Sequence, residues 1–306
     1  MRDTFVKILS EHAENDKNIK LITGDLGFGV LTEFQKRFPE QYFNAGVAEQ
    51  GMTGIAAGMA MEGNTVFTYS IANFPTLRAL EQIRNDICYH NANVKIVAIG
   101  GGFSYGQLGF SHHATEDLGI LRSLPEMNVI VPGDKYETEK ATEYIIKTKG
   151  PFYLRLDKSY AESYENKKSE FIPNKARVLK KGSDIAIIGC GGILEEALLA
   201  ANEAENSNIS CQVVSLPFIK PMDKEFILDT VRNFNGIITL EENILDAGLG
   251  SAISEVFADN LIYPKQFKRL GLENKFSTKV GDQFYLRKEY GLDKQAVLNE
   301  ILKMGN

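Results

Sequence analysis

This sequence predicts an α/β protein built from two units, each a mainly parallel sheet flanked by helices. Residues 94–100, "VKIVAIG", are a continuous apolar run suited to a parallel strand buried on both faces. Apolar runs alternate with amphipathic stretches, first over residues 1–160 and again from residue 183. The 306 residues exceed a single typical domain. Residues 161–182 are polar and aperiodic, which marks a linker, so the expected domains are 1–160 and 183–306.

Each element has its own warrant. Phe5, Ile8 and Leu9 recur at helical spacing among charges near the N-terminus, where no signal-peptide run occurs. "IKLITGDLGFG" is a short strand ending in a turn at Gly24 and Asp25, followed by the helix "VLTEFQKRF". "YFNAGVAEQGMTGIAAGMAMEG" is a strand end running into a small-residue helix. "NTVFTYS" is a buried strand, and "TLRALEQIRNDICYH" an amphipathic helix with Leu77, Leu80, Ile83, Ile87 and Cys88 toward the core. A long Gly-rich loop, "GGGFSYGQLGFSHHATEDLGILR", runs into the helix "ATEDLGILRSL". "MNVIVPGD" and "GPFYLRLDKSY" are strands on either side of the helix "KYETEKATEYIIKTK". The second βα series comprises "SDIAIIG", "ILEEALLAANEA", "CQVVSLPFI", "GIITLEE", "AGLGSAISEVFAD", "FKRLGL" and a closing helix. "GCGGIL" is no dinucleotide fingerprint, because Leu194 takes its third glycine position.

Net charge is −6 with acids and bases interspersed, which points to neither nucleic acid nor an anionic membrane as partner. The three cysteines are odd in number and widely spaced, fitting neither a disulfide framework nor a zinc site. They read as buried thiols of a cytoplasmic protein. No stretch has the length of a transmembrane helix.

Glu49 is the first candidate for chemistry. Gly46, Ala48, Gly51, Gly54, Ala56, Ala57, Gly58 and Ala60 surround it with almost no side-chain bulk. Each helical glycine costs roughly 1 kcal/mol relative to alanine, so a ligand, a partner chain or tight helix packing should require close backbone approach. A carboxylate isolated among apolar groups holds or shares a proton near neutrality. The plainer reading is a solvated first-turn glutamate favoured by the helix dipole.

"FNAGVAEQGMTGIAAGMAMEG" resembles the glutamate motif in the pyrimidine-binding domain of thiamine-diphosphate enzymes, and most closely that of the transketolase family. "RALEQIRNDI", "SHHATEDLGILRSLPEMNVIVPGD" and "VVSLPFIKPMD" extend the resemblance over most of the chain. It implies a pyrimidine-binding domain followed by a transketolase C-terminal-like domain. It also implies a role for Glu49: hydrogen-bonding the aminopyrimidine and shifting it to the imino tautomer that removes the thiazolium C2 proton.

The same resemblance assigns the other candidates. Asp25 lies where family members place a strand-end aspartate at a subunit interface near the cofactor; otherwise it caps the next helix. Gly29 stands near the place of a phosphate-contacting serine. Phe74 is the leading candidate to stack on the pyrimidine and Tyr69 the reserve, because Ala72 and Pro75 fall opposite the usual aromatics; both are otherwise core aromatics. His112 takes the place of a histidine that contacts substrate hydroxyls, with His113 beside it; alternatively the two cap a helix. Lys158 falls where a phosphate-binding arginine is usual, with Arg155 in reserve, the alternative being surface ion pairs. Leu108 replaces an aspartate that reads a sugar hydroxyl, and the glycines near Gly100 replace a histidine. Turnover of ordinary pentose phosphates is therefore expected to be poor.

The "GDG" segment through which thiamine-diphosphate enzymes hold the diphosphate and Mg2+ is missing. The expectation is thus the C-terminal subunit of a split transketolase-like enzyme. An N-terminal subunit would bring the diphosphate and Mg2+ ligands, in a heterotetramer acting on sugars or sugar phosphates. The alternatives are the β subunit of a 2-oxoacid dehydrogenase or related carboligase, and a non-catalytic scaffold retained for its dimer interface.

Overall fold

A computed structural model describes residues 1–157 and 170–305. The strands are β1 (Ile19–Thr23), β2 (Tyr42–Asn44), β3 (Thr65–Ile71), β4 (Val94–Ile99), β5 (Asn128–Ile130), β6 (Phe152–Leu156), β7 (Arg177–Lys180), β8 (Ile185–Gly189), β9 (Cys211–Ser215), β10 (Phe218–Lys220), β11 (Gly236–Ile244) and β12 (Gln266–Leu272). They form a seven-stranded sheet, β10-β5-β6-β4-β3-β1-β2, and a five-stranded sheet, β12-β11-β8-β9-β7. Neighbours are parallel except β10 with β5 and β7 with β9.

All six residues of β4 are buried, as a parallel strand covered on both faces requires. Its one charge, Lys95, donates from Nζ at 2.7 Å to the carbonyls of Thr148 and Gly150, just past the helix Lys135–Lys147. Desolvation pulls that ammonium down to about 7. On one face of this sheet, the helix Arg2–Ala13 buries Phe5 and Leu9 against Phe67 and Tyr69 of β3. On the other face lies the helix Glu49–Met61, through Met52, Ala56 and Ala57.

Two sequence expectations are corrected here. The helix expected over 76–90 is three short pieces, Phe74–Leu77, Leu80–Gln82 and a π-helical turn at Ile83–Cys88. The wider π turn shifts the phase between its ends, so Ile83, Ile87 and Cys88 are buried while Leu77 is 49% exposed. The linker is shorter than expected: Arg177–Lys180 is β7, an antiparallel edge of the second sheet. Nor do the units separate cleanly at residue 183, because β10 leaves the second unit and pairs antiparallel with β5 of the first.

Buried ion pairs fasten the seam. Arg177 of β7 reaches Asp134 at 3.1 Å and Glu137 at 3.2 Å. Within the second unit Arg287 holds Glu242 of β11 at 2.5 Å, and Glu242 reaches across the seam to accept the Phe103 amide. Next to Glu242, Glu241 accepts the Leu249 and Gly250 amides at the start of the helix Leu249–Asn260.

Burial outweighs those two bonds and raises the Glu241 carboxyl from 4.5 to about 7. Between these values the unfolded chain releases a proton that the folded chain keeps, so stability falls as pH rises through the window. Glu241→Gln should remove about 3 kcal/mol of that pH-dependent loss, measured as a flatter plot of urea midpoint against pH from 4.5 to 7. An unchanged slope would refute the assignment.

Candidate functional site

In parallel α/β sheets ligands bind beyond the carboxyl ends of strands where the order reverses. Here β2 and β3 flank β1 on opposite sides, and the loops leaving β1, β2 and β3 bring Asp25, Glu49 and Phe74 to that edge.

Glu49 opens its helix and is only 1% exposed. Its first-turn position therefore comes with burial, where the sequence suggested one or the other. The carboxylate is not isolated: Arg78 Nη1 donates to Oε2 at 2.7 Å. Among the described residues Oε1 accepts no hydrogen bond, and it faces Gly24, whose added Cβ would lie 3.8 Å away. Gly46, at φ +71°, lets the chain turn sharply into the helix. A Cβ added at Gly54 or Gly58 meets no described atom within 4 Å. Packing inside this chain therefore does not require those two glycines.

Arg78 links Glu49 to the aromatic group. Its guanidinium lies 4.9 Å from the Phe74 ring centroid, and that ring meets His112 edge-on at 5.2 Å. Asn73 donates to the Ser111 carbonyl, which brings the His112 loop onto this edge. Ser111 Oγ and His112 Nδ1 are 3.0 Å apart, so the tautomer at His112 decides which of them donates. Glu49, Arg78, Phe74 and His112 form one connected group.

Asp25 stands beside this group, exposed and in the left-handed region at φ +57°. It does not cap the next helix. Its amide donates to Asn44 Oδ1 and its carboxylate accepts from Asn44 Nδ2, both at 3.0 Å. Gly29 is exposed in the same loop, and Leu108 is 54% exposed on the Gly-rich loop.

Four candidates stand elsewhere. Tyr69 is 2% exposed and packs on Phe5, across the sheet from the Glu49 helix. Strand alternation sends residue 69 to that face, and burial pushes its hydroxyl well up. It is a core aromatic and not a reserve stacking ring. Arg155 is not a surface phosphate anchor. It is 3% exposed, pairs with Asp117 at 3.2 Å and donates to the carbonyls of Ala114 and Glu242. His113 is buried edge-on against Phe103 at 5.0 Å, and desolvation lowers its pKa. It neither joins His112 nor caps a helix. Lys158 lies outside the described residues.

Sequence reasoning missed Arg78 and Asn44 as functional groups. "RALEQIRNDI" held Arg78 as a landmark, but nothing in its spacing tied it to Glu49. Among the described residues no group of three or more His, Cys, Asp and Glu side chains is placed to hold a metal ion, and all three cysteines are free and buried. No helix there is long and apolar enough to cross a membrane.

Comparison with known proteins bears on the family and the fold. Residues 1–162 match the transketolase pyrimidine-binding domain family and residues 174–297 the transketolase C-terminal domain family. A protein of Methanocaldococcus jannaschii that carries the name of a transketolase C-terminal section is 38% identical over 99% of this chain and 95% of its own length. A subunit of the apulose-4-phosphate transketolase of Actinobacillus succinogenes is 33% identical over 94% of this chain and 92% of its own. A solved split-gene transketolase, described as an inactive beta4 tetramer, superposes with a TM-score of 0.88 at 34% identity, covering 99% of this chain and 97% of that one. The chain thus belongs to the transketolase family and carries its pyrimidine-binding and C-terminal domains.

Proposed function

We propose that this chain is the C-terminal subunit of a two-subunit ketol transferase and binds the aminopyrimidine end of thiamine diphosphate at Glu49. The observation that carries this reading is a buried carboxylate with one oxygen held by Arg78 and the other open toward Gly24. Such a group fits a ring that both donates and accepts protons. Thiamine diphosphate, when bound, supplies the carbon nucleophile that takes up a two-carbon unit. Glu49 Oε1 would hydrogen-bond a pyrimidine nitrogen of the bound cofactor while Arg78 fixes Oε2. Phe74 offers an aromatic wall, and His112 presents its imidazole to a sugar hydroxyl.

The diphosphate and Mg2+ ligands fall to an N-terminal subunit. Asp25, bonded to Asn44 at the rim, is the group placed to meet it. Relatives that are themselves named as single subunits of transketolases favour this arrangement over a dehydrogenase β subunit. The solved relative is described as an inactive beta4 tetramer, which fits a chain that self-associates and is inactive without its partner; the active assembly is then of the α2β2 type. The buried free thiols fit a reducing cytoplasm.

Leu108 sets the substrate apart. A leucine accepts no hydrogen bond from a hydroxyl, and a lost neutral bond costs about 0.5–1.5 kcal/mol. Two relatives are named for apulose 4-phosphate and 6-deoxy-6-sulfo-D-fructose, which fits a donor outside the common pentose phosphates.

Three outcomes are expected. In calorimetry with Mg2+, this chain alone should not bind thiamine diphosphate, and micromolar binding would sink the split-site reading. In the reconstituted pair, xylulose 5-phosphate with ribose 5-phosphate should turn over slowly beside apulose 4-phosphate; robust pentose turnover would contradict the role of Leu108. Glu49→Gln should keep most cofactor affinity while C2 hydrogen–deuterium exchange falls about 10²- to 10⁴-fold. Wild-type exchange in a well-folded variant would remove Glu49 from proton transfer.

A further inference from the structure

The Gly-rich loop after β4 begins with Gly100, Gly101 and Gly102, and its neck closes where Gly102 and Ala114 exchange backbone hydrogen bonds at 2.7 and 3.0 Å. Side chains from outside the loop occupy the space that Gly101 and Gly102 leave. A Cβ at Gly101 would lie 2.0 Å from Arg155 Nε. One at Gly102, which sits at φ +59°, would lie 2.5 Å from Oε1 of Glu242. The second domain therefore reaches through the glycine run into the neck of the loop that carries His112.

Glu242 is buried there with every oxygen engaged. Oε1 accepts the Phe103 amide at 2.5 Å and Gln283 Nε2 at 2.8 Å. Oε2 accepts Arg287 Nε at 2.5 Å, and the backbone carbonyl accepts Arg155 Nη2 at 2.9 Å. That same Arg155 nitrogen donates to the Ala114 carbonyl at 2.9 Å, on the opposite strand of the neck. Phe103, held by its amide, stacks on Tyr290 of the second domain and meets His113 edge-on. Beyond the neck, Gly281 donates to the Gly106 carbonyl.

We infer that Glu242 is a positioning residue: by fixing the Phe103 amide, the second domain sets where the loop presents His112 and Leu108. Charge-assisted bonds of this length are roughly twice as strong as neutral ones, and a site group must be held within about 0.5 Å to act. The loop position rests on the geometry alone. Its effect on substrate rests on the ketol-transfer reading.

Two double variants separate positioning from simple stability. Glu242→Leu with Arg287→Met removes the acceptor for Phe103 and its charged partner; the loss of Arg287 from beside Glu196, 3.5 Å away, is common to both double variants. Glu242→Gln with Arg287→Met also removes both charges but keeps an oxygen for that amide. Hydrogen–deuterium exchange of residues 100–113 should quicken about tenfold or more in the first and stay near wild type in the second, with β4 and β11 protected in both. Equal exchange in the two, or in the first and the wild type, would overturn the inference. In the reconstituted enzyme the Leu variant should raise the donor KM while C2 exchange stays at the wild-type rate. A freed loop with an unchanged KM would overturn the link to His112. If the wild-type pair transfers no ketol unit, the function proposal fails while the exchange result still decides the loop's anchor.

Discussion

The arginines that leave water at the heart of this molecule each meet a carboxylate, and much of the architecture follows from that constraint. Stranding one member of a buried pair costs about 3–5 kcal/mol. Arg177 crosses the seam to Asp134 and Glu137, while Arg155 pairs with Asp117 inside the first unit and Arg287 with Glu242 inside the second. The two inner pairs meet where Arg155 donates to the Glu242 carbonyl and Glu242 accepts the Phe103 amide. The Coulombic return of such pairs barely exceeds their desolvation cost, so their yield is geometry: the docking of the two units must satisfy the Arg177 pairs and the bonds to Glu242 together. Glu49 with Arg78 obeys the same rule at the exposed edge, where Arg78 stays half in water.

The strands were legible because a parallel sheet buried on both faces leaves apolar runs, as at residues 96–99 of β4 and 185–188 of β8. Glu49 stood out through the resemblance to transketolases, since composition alone suits a solvated first-turn glutamate as well. Arg78 did not stand out: its tie to Glu49 spans 29 residues, and no periodicity encodes a contact between two elements so far apart in sequence. Tyr69 misled because an aromatic in a strand announces burial without saying on which face. Arg155 misled for a related reason, since an arginine inside a strand looks like a surface charge until the partner that neutralises it is seen. The short strands β7 and β10 were hidden in polar or Pro-flanked sequence, where pairing with a distant edge, and no local pattern, decides the conformation.

The two faces of the first sheet divide the labour. The face under the helix Arg2–Ala13 is aromatic and closed, with Phe5, Phe67 and Tyr69 in contact. The face under the helix Glu49–Met61 is built from small and aliphatic groups, and that helix keeps Gly54 and Gly58 clear of every described side chain. Rigidity on one side and an uncovered backbone on the other suit a subunit whose site is completed from outside.

The pairing of β10 with β5 makes the domain boundary a poor place to divide the polypeptide. Cutting between residues 157 and 170 would strip the first unit of its last strand and bare the outer edge of β5, whose amides and carbonyls would then recruit other chains. The second unit would keep a dangling segment with nothing to pair with. The strand exchange thus ties the two domains together at this junction.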